Sequence, residues 1–109
     1  MKIEVRRLEN VTVLDLEGRL TLGTGDEALR RTIRGQIASG NARIVLNLRR
    51  LAYSDSTGIG EMVAATQETQ GAGGGLKLVE ASDHLRNLLG MFPHVLQVYG
   101  TEEEAIRSF

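Results

Sequence analysis

The spacing of apolar residues changes several times along the chain, and each change marks an element. Ile3 and Val5 alternate with Lys2, Glu4 and Arg6, the period of a strand with one wet face. Glu9-Asn10 makes a turn into a second strand, Val11 to Glu17, which pairs antiparallel with the first and ends at Gly18. The period then lengthens. Leu29, Ile33 and Ile37 form one stripe of a helix that stops near Gly40, and Thr24-Gly-Asp-Glu27 before it reads as a capping box. Ile44-Val-Leu46 with Leu48 is nearly continuous apolar sequence, as in a strand covered on both faces.

A second helix starts around Ser56 to Gly58 and carries Ile59, Met62, Val63 and Thr66 on one face. The glycine-rich run 71–75 ends it and leads to a buried strand, Leu76 to Val79. Ser82 caps a third helix with Leu85, Leu88 and Leu89, which Pro93 prevents from continuing. Val95 to Tyr99 reads as a last strand. Thr101-Glu-Glu-Glu104 is a second capping box, opening a terminal helix with Ala105, Ile106 and Phe109 inward. The order ββαβαβαβα predicts an α/β fold with a mixed sheet, and residues 1–109 read as a single compact domain.

Composition narrows the function. The chain has no cysteine, so disulfides and zinc–thiolate sites are excluded. Its 13 Lys+Arg nearly balance 14 Asp+Glu, which argues against a nucleic-acid partner. Two Phe, two Tyr and no Trp leave little for base stacking. Met1-Lys2-Ile3-Glu4 is charged where a signal peptide needs an apolar run, and no stretch has the length of a membrane span. A cytoplasmic protein with no membrane partner is expected.

Residues 43–63 run from an apolar strand through a short loop into a helix. Within them, Asp55-Ser56-Thr57-Gly58-Ile59-Gly60 resembles the signature of STAS domains that antagonise anti-sigma factors. The initial strand pair, Gly18-Arg-Leu20 before the first helix, and four helices in this order extend the likeness over nearly the whole chain. The resemblance implies a STAS-type mixed sheet with four helices, and a binding protein rather than an enzyme. It also implies a switch. The unphosphorylated form binds an ATP-using anti-sigma factor serine kinase, which then releases its sigma factor; the kinase phosphorylates the antagonist, and a phosphatase reverses this. Asp55 matches the motif's aspartate, Ser56 its phosphoacceptor with Thr57 as the alternative hydroxyl, and Gly58 its glycine. The implied partner surface is Thr21 together with Asp55, Ser56, Thr57, Gly58, Ile59 and Gly60, and it extends from Thr21 to Thr24 and along the second helix. Three positions depart from the family pattern: Thr21 and Asn47 stand where acidic residues are common, and Ser54 where an apolar one is usual.

The chemistry of the hexapeptide is consistent with that role. A serine at a helix N-terminus meets unpaired backbone N–H groups and the positive end of the dipole, which accept an anion. A phosphate adds about −1.5 to −2 charge, beside Asp55. Asp55, Ser56 and Thr57 are equally good helix caps, and capping does not exclude phosphorylation.

Other patterns carry less. Gly23-Thr-Gly25-Asp-Glu-Ala28 matches a dinucleotide fingerprint in form, but Asp26 and Glu27 would repel a pyrophosphate. No lysine follows a glycine loop as a P-loop requires. His84 and His94 have no metal-ligand spacing, Ser56 has no base partner, and Arg30, Arg31, Arg34 and Arg43 read as a solvated face. No cofactor, metal site or catalytic residue is therefore expected. Met62, Met91 and Phe92 read as core or core-edge residues, and with no apolar helix face left exposed a monomer is expected. Two other readings compete: a STAS scaffold subunit of a stress-signalling or lipid-transport assembly without obligate phosphorylation, and a small nucleotide- or lipid-binding module or enzyme using glycines 23–25 and 71–75.

Overall fold

In the computed structural model, which describes Met1–Phe109, five strands form one sheet in the order of the sequence. The strands are β1 (Lys2–Leu8), β2 (Val11–Leu20), β3 (Arg43–Ser54), β4 (Gly75–Val79) and β5 (Gln97–Tyr99). The helices are α1 (Asp26–Ala38), α2 (Ser56–Gly71), α3 (Asp83–Leu89) and α4 (Glu102–Arg107). β1 and β2 are antiparallel; every later pairing is parallel.

This topology divides the two faces. β2 to β5 step across the sheet in one direction, so right-handed crossovers place α1, α2 and α3 on the same side. There Leu14, Leu16, Ile44, Leu46, Leu48, Leu76 and Leu78 meet Leu29 and Ile33 of α1, Met62 and Ala65 of α2, and Leu85 and Leu89 of α3. α4 covers the other side, where Val11, Val13, Val45 and Val79 pack on Ala105, flanked by Tyr99, Ile106 and Phe109. The unbroken Ile44-Val45-Leu46 run is thus explained by burial on both faces.

Several elements differ from the sequence expectation. The Thr24 capping box does not form: α1 is capped by Gly25 at φ 84°, without a side-chain hydrogen bond. Thr24 instead exchanges backbone hydrogen bonds with Thr21, and Asp26 accepts from the amides of Gly23 (3.2 Å) and Glu27 (3.0 Å). The second box forms in part, with Thr101 Oγ1 accepting from the Glu104 amide at 3.2 Å. β3 runs on to Ser54, and β5 shrinks to three residues because the Phe92 carbonyl takes the amides of Val95 and Leu96 in a turn. Val5 is on the helix side, yet 51% exposed, since the helices stop short of this edge.

Polar residues are buried on the α4 side as well. Asn47 donates to Glu80 Oε2 (2.9 Å) and Glu102 Oε1 (2.8 Å), and its Oδ1 accepts the Arg49 amide (2.9 Å). Arg6 binds Asp15 and Glu102, and these carboxylates hold its guanidinium pKa above its usual value. Lys77, inside the apolar strand β4, reaches Gln97 Oε1 at 2.8 Å and sits between the rings of Tyr99 and Phe109.

Candidate functional site

The hexapeptide spans the junction of β3 and α2. Asp55 is extended (φ −94°, ψ −173°), and the helix begins at Ser56. Asp55 Oδ1 accepts the Gly58 amide at 2.9 Å and so caps α2. Its Oδ2 accepts the amide of Leu22 at 3.1 Å, from the loop between β2 and α1. The backbone hydrogen bonds from Gly58 and then Leu22 hold the Asp55 carboxyl below its ordinary pKa, against a smaller opposing effect of burial. Asp55 is therefore a bracket between two loops, half-buried and already engaged.

Gly58 is needed for close packing. A Cβ there would lie 2.2 Å from Ser54 Oγ and 2.5 Å from the Leu20 carbonyl oxygen. The first turn of α2 thus sits directly on the ends of β2 and β3, and the Asp55 amide donates to the same Leu20 carbonyl at 3.3 Å. Ser54, polar at a position expected to be apolar, is buried with its hydroxyl donating to the Asp55 carbonyl (3.2 Å). Gly60 differs: a Cβ there would meet nothing within 4 Å. Of the two glycines, only Gly60 leaves the exposed surface low, and Gly58 serves the interior.

Ser56 is exposed at the first position of α2, and Thr57 is half-buried. Beside Ser56 runs a groove of about 810 Å³ between α2 and α3. Its walls are Ile59, Val63, Leu88, Met91, Phe92 and Tyr53, and Ser56, Gly60 and His84 also line it. Met91 is 72% exposed and Phe92 41%, so of the core or core-edge positions expected for them neither is in the core, and both line the groove. Across the Asp55 bracket, half-buried Thr21 begins the turn that carries Leu22, whose side chain is 75% exposed.

Leu22 lies in the segment Thr21 to Thr24 that the sequence already offered as partner surface, whereas the groove residues Tyr53, Leu88, Met91 and Phe92 were missed. A signal was present: seven-residue α3 and the segment after it carry more large apolar residues than one buried face can use. The rest of the surface offers less chemistry. The Gly23 amide, which a dinucleotide would need, is occupied by Asp26. No group of three His, Cys, Asp or Glu side chains comes together as a metal site. Arg30 and Arg34 are not simply solvated, because they bridge α1 to Glu61 and Glu68 of α2.

A family model described as "Mlab, STAS domain" matches residues 3–93. The chain belongs to the STAS-domain family. This STAS domain is 24% identical over 111 residues to BtrV of Bordetella bronchiseptica, a candidate anti-sigma factor antagonist; the match covers 100% of this chain and 95% of the relative. Among solved structures it resembles the anti-sigma factor antagonist SpoIIAA in its unphosphorylated form. That match has 26% identity and a TM-score of 0.76, covering 98% of this chain and 96% of the other. It likewise resembles the Bacillus cell fate determinant SpoIIAA in the phosphorylated form, with 25% identity, a TM-score of 0.73 and 98% of each chain covered. No helix of this STAS domain is long and apolar enough to cross a membrane.

Proposed function

We propose that this STAS domain is an anti-sigma factor antagonist. Its unphosphorylated form docks a kinase-type anti-sigma factor and so frees a sigma factor, and phosphorylation of Ser56 ends the docking. The observation that carries this reading is the position of Ser56: exposed, at the first position of a helix, on the edge of an open apolar groove. The names of the relatives support it, since they are regulatory binding proteins and not enzymes.

The groove beside Ser56 and the exposed Leu22, on the loop that Asp55 holds, provide apolar contact area, the form expected of a docking surface. Phosphorylation would form a bond from Ser56 Oγ to the γ-phosphorus of ATP and break that phosphorus's bond to ADP, with the hydroxyl proton passing to a base of the partner. Ser56 needs no base of its own. The product adds about −1.5 to −2 charge at the groove. First-turn amides and the helix dipole accommodate that charge within the fold, whereas a partner covering the groove meets a dianion beside the Asp55 carboxylate. The phosphate therefore opposes docking without unfolding the domain. Ser56 is favoured over Thr57 because Thr57 is half-buried and does not line the groove.

The test is phosphotransfer. Incubated with its anti-sigma factor and ATP, the protein should gain about 80 Da, localised to Ser56 and abolished by Ser56→Ala. A protein left unmodified by a partner that binds it would refute the switch.

A further inference from the structure

We propose that β1 is a homodimerisation edge, at which a second copy of this chain continues the sheet antiparallel with Val5 on the two-fold axis. The sheet has two edges, and they differ. β5 offers three residues, whereas β1 offers seven, pairs only with β2, and leaves Val5 51% and Leu8 39% exposed.

The backbone sets the terms. The β1–β2 turn is Glu9-Asn10, with Glu9 at φ 54°, and it closes on the Leu8–Val11 pair. A two-residue hairpin closes on a hydrogen-bonded pair. The alternation of an antiparallel ladder then turns Leu8, Arg6, Glu4 and Lys2 toward β2, and Arg7, Val5 and Ile3 outward. Opposed residues must both be hydrogen-bonded or both not, so a two-fold axis has to pass through a residue and not between two.

Charge then selects the residue. With the axis at Val5, Glu4 faces the partner subunit's Arg6, and by symmetry Arg6 faces the partner subunit's Glu4. Val5 meets its own copy, and Ile3 and Lys2 lie against the aliphatic stems or side chains of Arg7 and Leu8. An axis at Glu4 opposes Lys2 to Arg6, and an axis at Arg6 opposes that residue to itself. An axis at Ile3 matches Lys2 with Glu4 but leaves Arg6, Arg7 and Leu8 outside the ladder. Charges on an edge strand ordinarily block pairing; here they oppose the axes at Glu4 and Arg6, and only the axis at Val5 keeps all seven residues in the ladder. Arg6 already holds Asp15 and Glu102, so Glu4 would join an existing carboxylate cluster, offset by Lys2 at 3.1 Å from Glu4. Ser56 is not on this edge, so the pairing does not require the antagonist site.

Sedimentation equilibrium of the full chain over a micromolar-to-millimolar series tests the proposal. The wild type should form a dimer. Val5→Pro removes an outward N–H, tolerated on an edge strand, and should weaken dimerisation at least about tenfold with an unchanged circular dichroism spectrum. Glu4→Arg should weaken it too. Because the chain has no cysteine, Val5→Cys is a separate probe that does not depend on the proline variant folding. Opposed hydrogen-bonded residues lie about 5.5 Å apart between Cα atoms, within disulfide reach, so it should cross-link on oxidation far faster than Ser39→Cys at the end of α1. A monomer at every concentration overturns the proposal. So does a dimer indifferent to Val5→Pro and Glu4→Arg, or a Val5→Cys variant that links no faster than Ser39→Cys.

Discussion

The carboxylate of Asp55 receives the backbone N–H of Leu22 at 3.1 Å, joining residues 33 positions apart. The same carboxylate caps α2 through Gly58. One side chain thus fixes the loop after β2 against the start of the helix bearing Ser56, and holds the two parts of the proposed partner surface in one arrangement.

That bracket has a pH signature. Because its hydrogen bonds lower the folded-state pKa of Asp55, the ionised form and its contacts persist as pH falls past the ordinary value of 3.8, and are lost only as pH passes through the lower, folded value. The stability they contribute is fully present above the unfolded-state value. In an NMR titration, the Leu22 and Gly58 amides should move together below pH 3.8. Asp55→Asn should remove that transition and weaken partner binding at neutral pH.

The two glycines of the hexapeptide should respond in opposite directions. Gly58→Ala forces a Cβ against Ser54 and Leu20, so it should destabilise by about 1–3 kcal/mol. Gly60→Ala enters open space within a helix and should stabilise by about 0.5–1 kcal/mol. Urea denaturation of both variants checks this.

Asn47→Asp should be harmful here. The amide donates to both Glu80 and Glu102; a carboxylate donates to neither and repels both. A loss of about 1–3 kcal/mol is expected at pH 7. The new carboxyl should have a raised folded-state pKa, so the loss should shrink as pH falls through the carboxylate range. A stability difference that is constant between pH 7 and pH 4 would contradict this account.

The groove should matter for binding and not for folding. Leu22→Asp, Met91→Ala and Phe92→Ala alter exposed side chains, so each should leave stability within about 0.5 kcal/mol of wild type. Each should weaken anti-sigma factor binding about tenfold, near 1.4 kcal/mol. Arg31→Ala, exposed on α1, is the control. Calorimetry with the partner separates the two effects.

The order of elements could be read from the chain because burial imposes its period locally. Leu29 and Ile33 repeat as a helix that faces the sheet, and Ile44-Val45-Leu46 runs unbroken because β3 is covered on both sides. Caps at Ser82 and Thr101 were legible for the same local reason. Thr24 was misleading because left-handed Gly23 and Gly25 redirect the chain, and its backbone pairs with Thr21 instead. Met91 and Phe92 could be placed only as core or core-edge, because an apolar residue in a core and one in a groove look alike in sequence. Asp55 and Ser56 could be named from the motif. The Asp55–Leu22 bracket could not, because it depends on how two distant loops meet.

The most direct test of the central claim is calorimetric binding of the anti-sigma factor to two preparations, one unphosphorylated and one fully phosphorylated at Ser56. The account predicts tight binding of the first, and for the second an affinity at least about a hundredfold weaker, near 2.7 kcal/mol, with both preparations equally folded. Equal affinity for the two would contradict the switch at Ser56 and leave the groove as a docking surface without phosphoregulation.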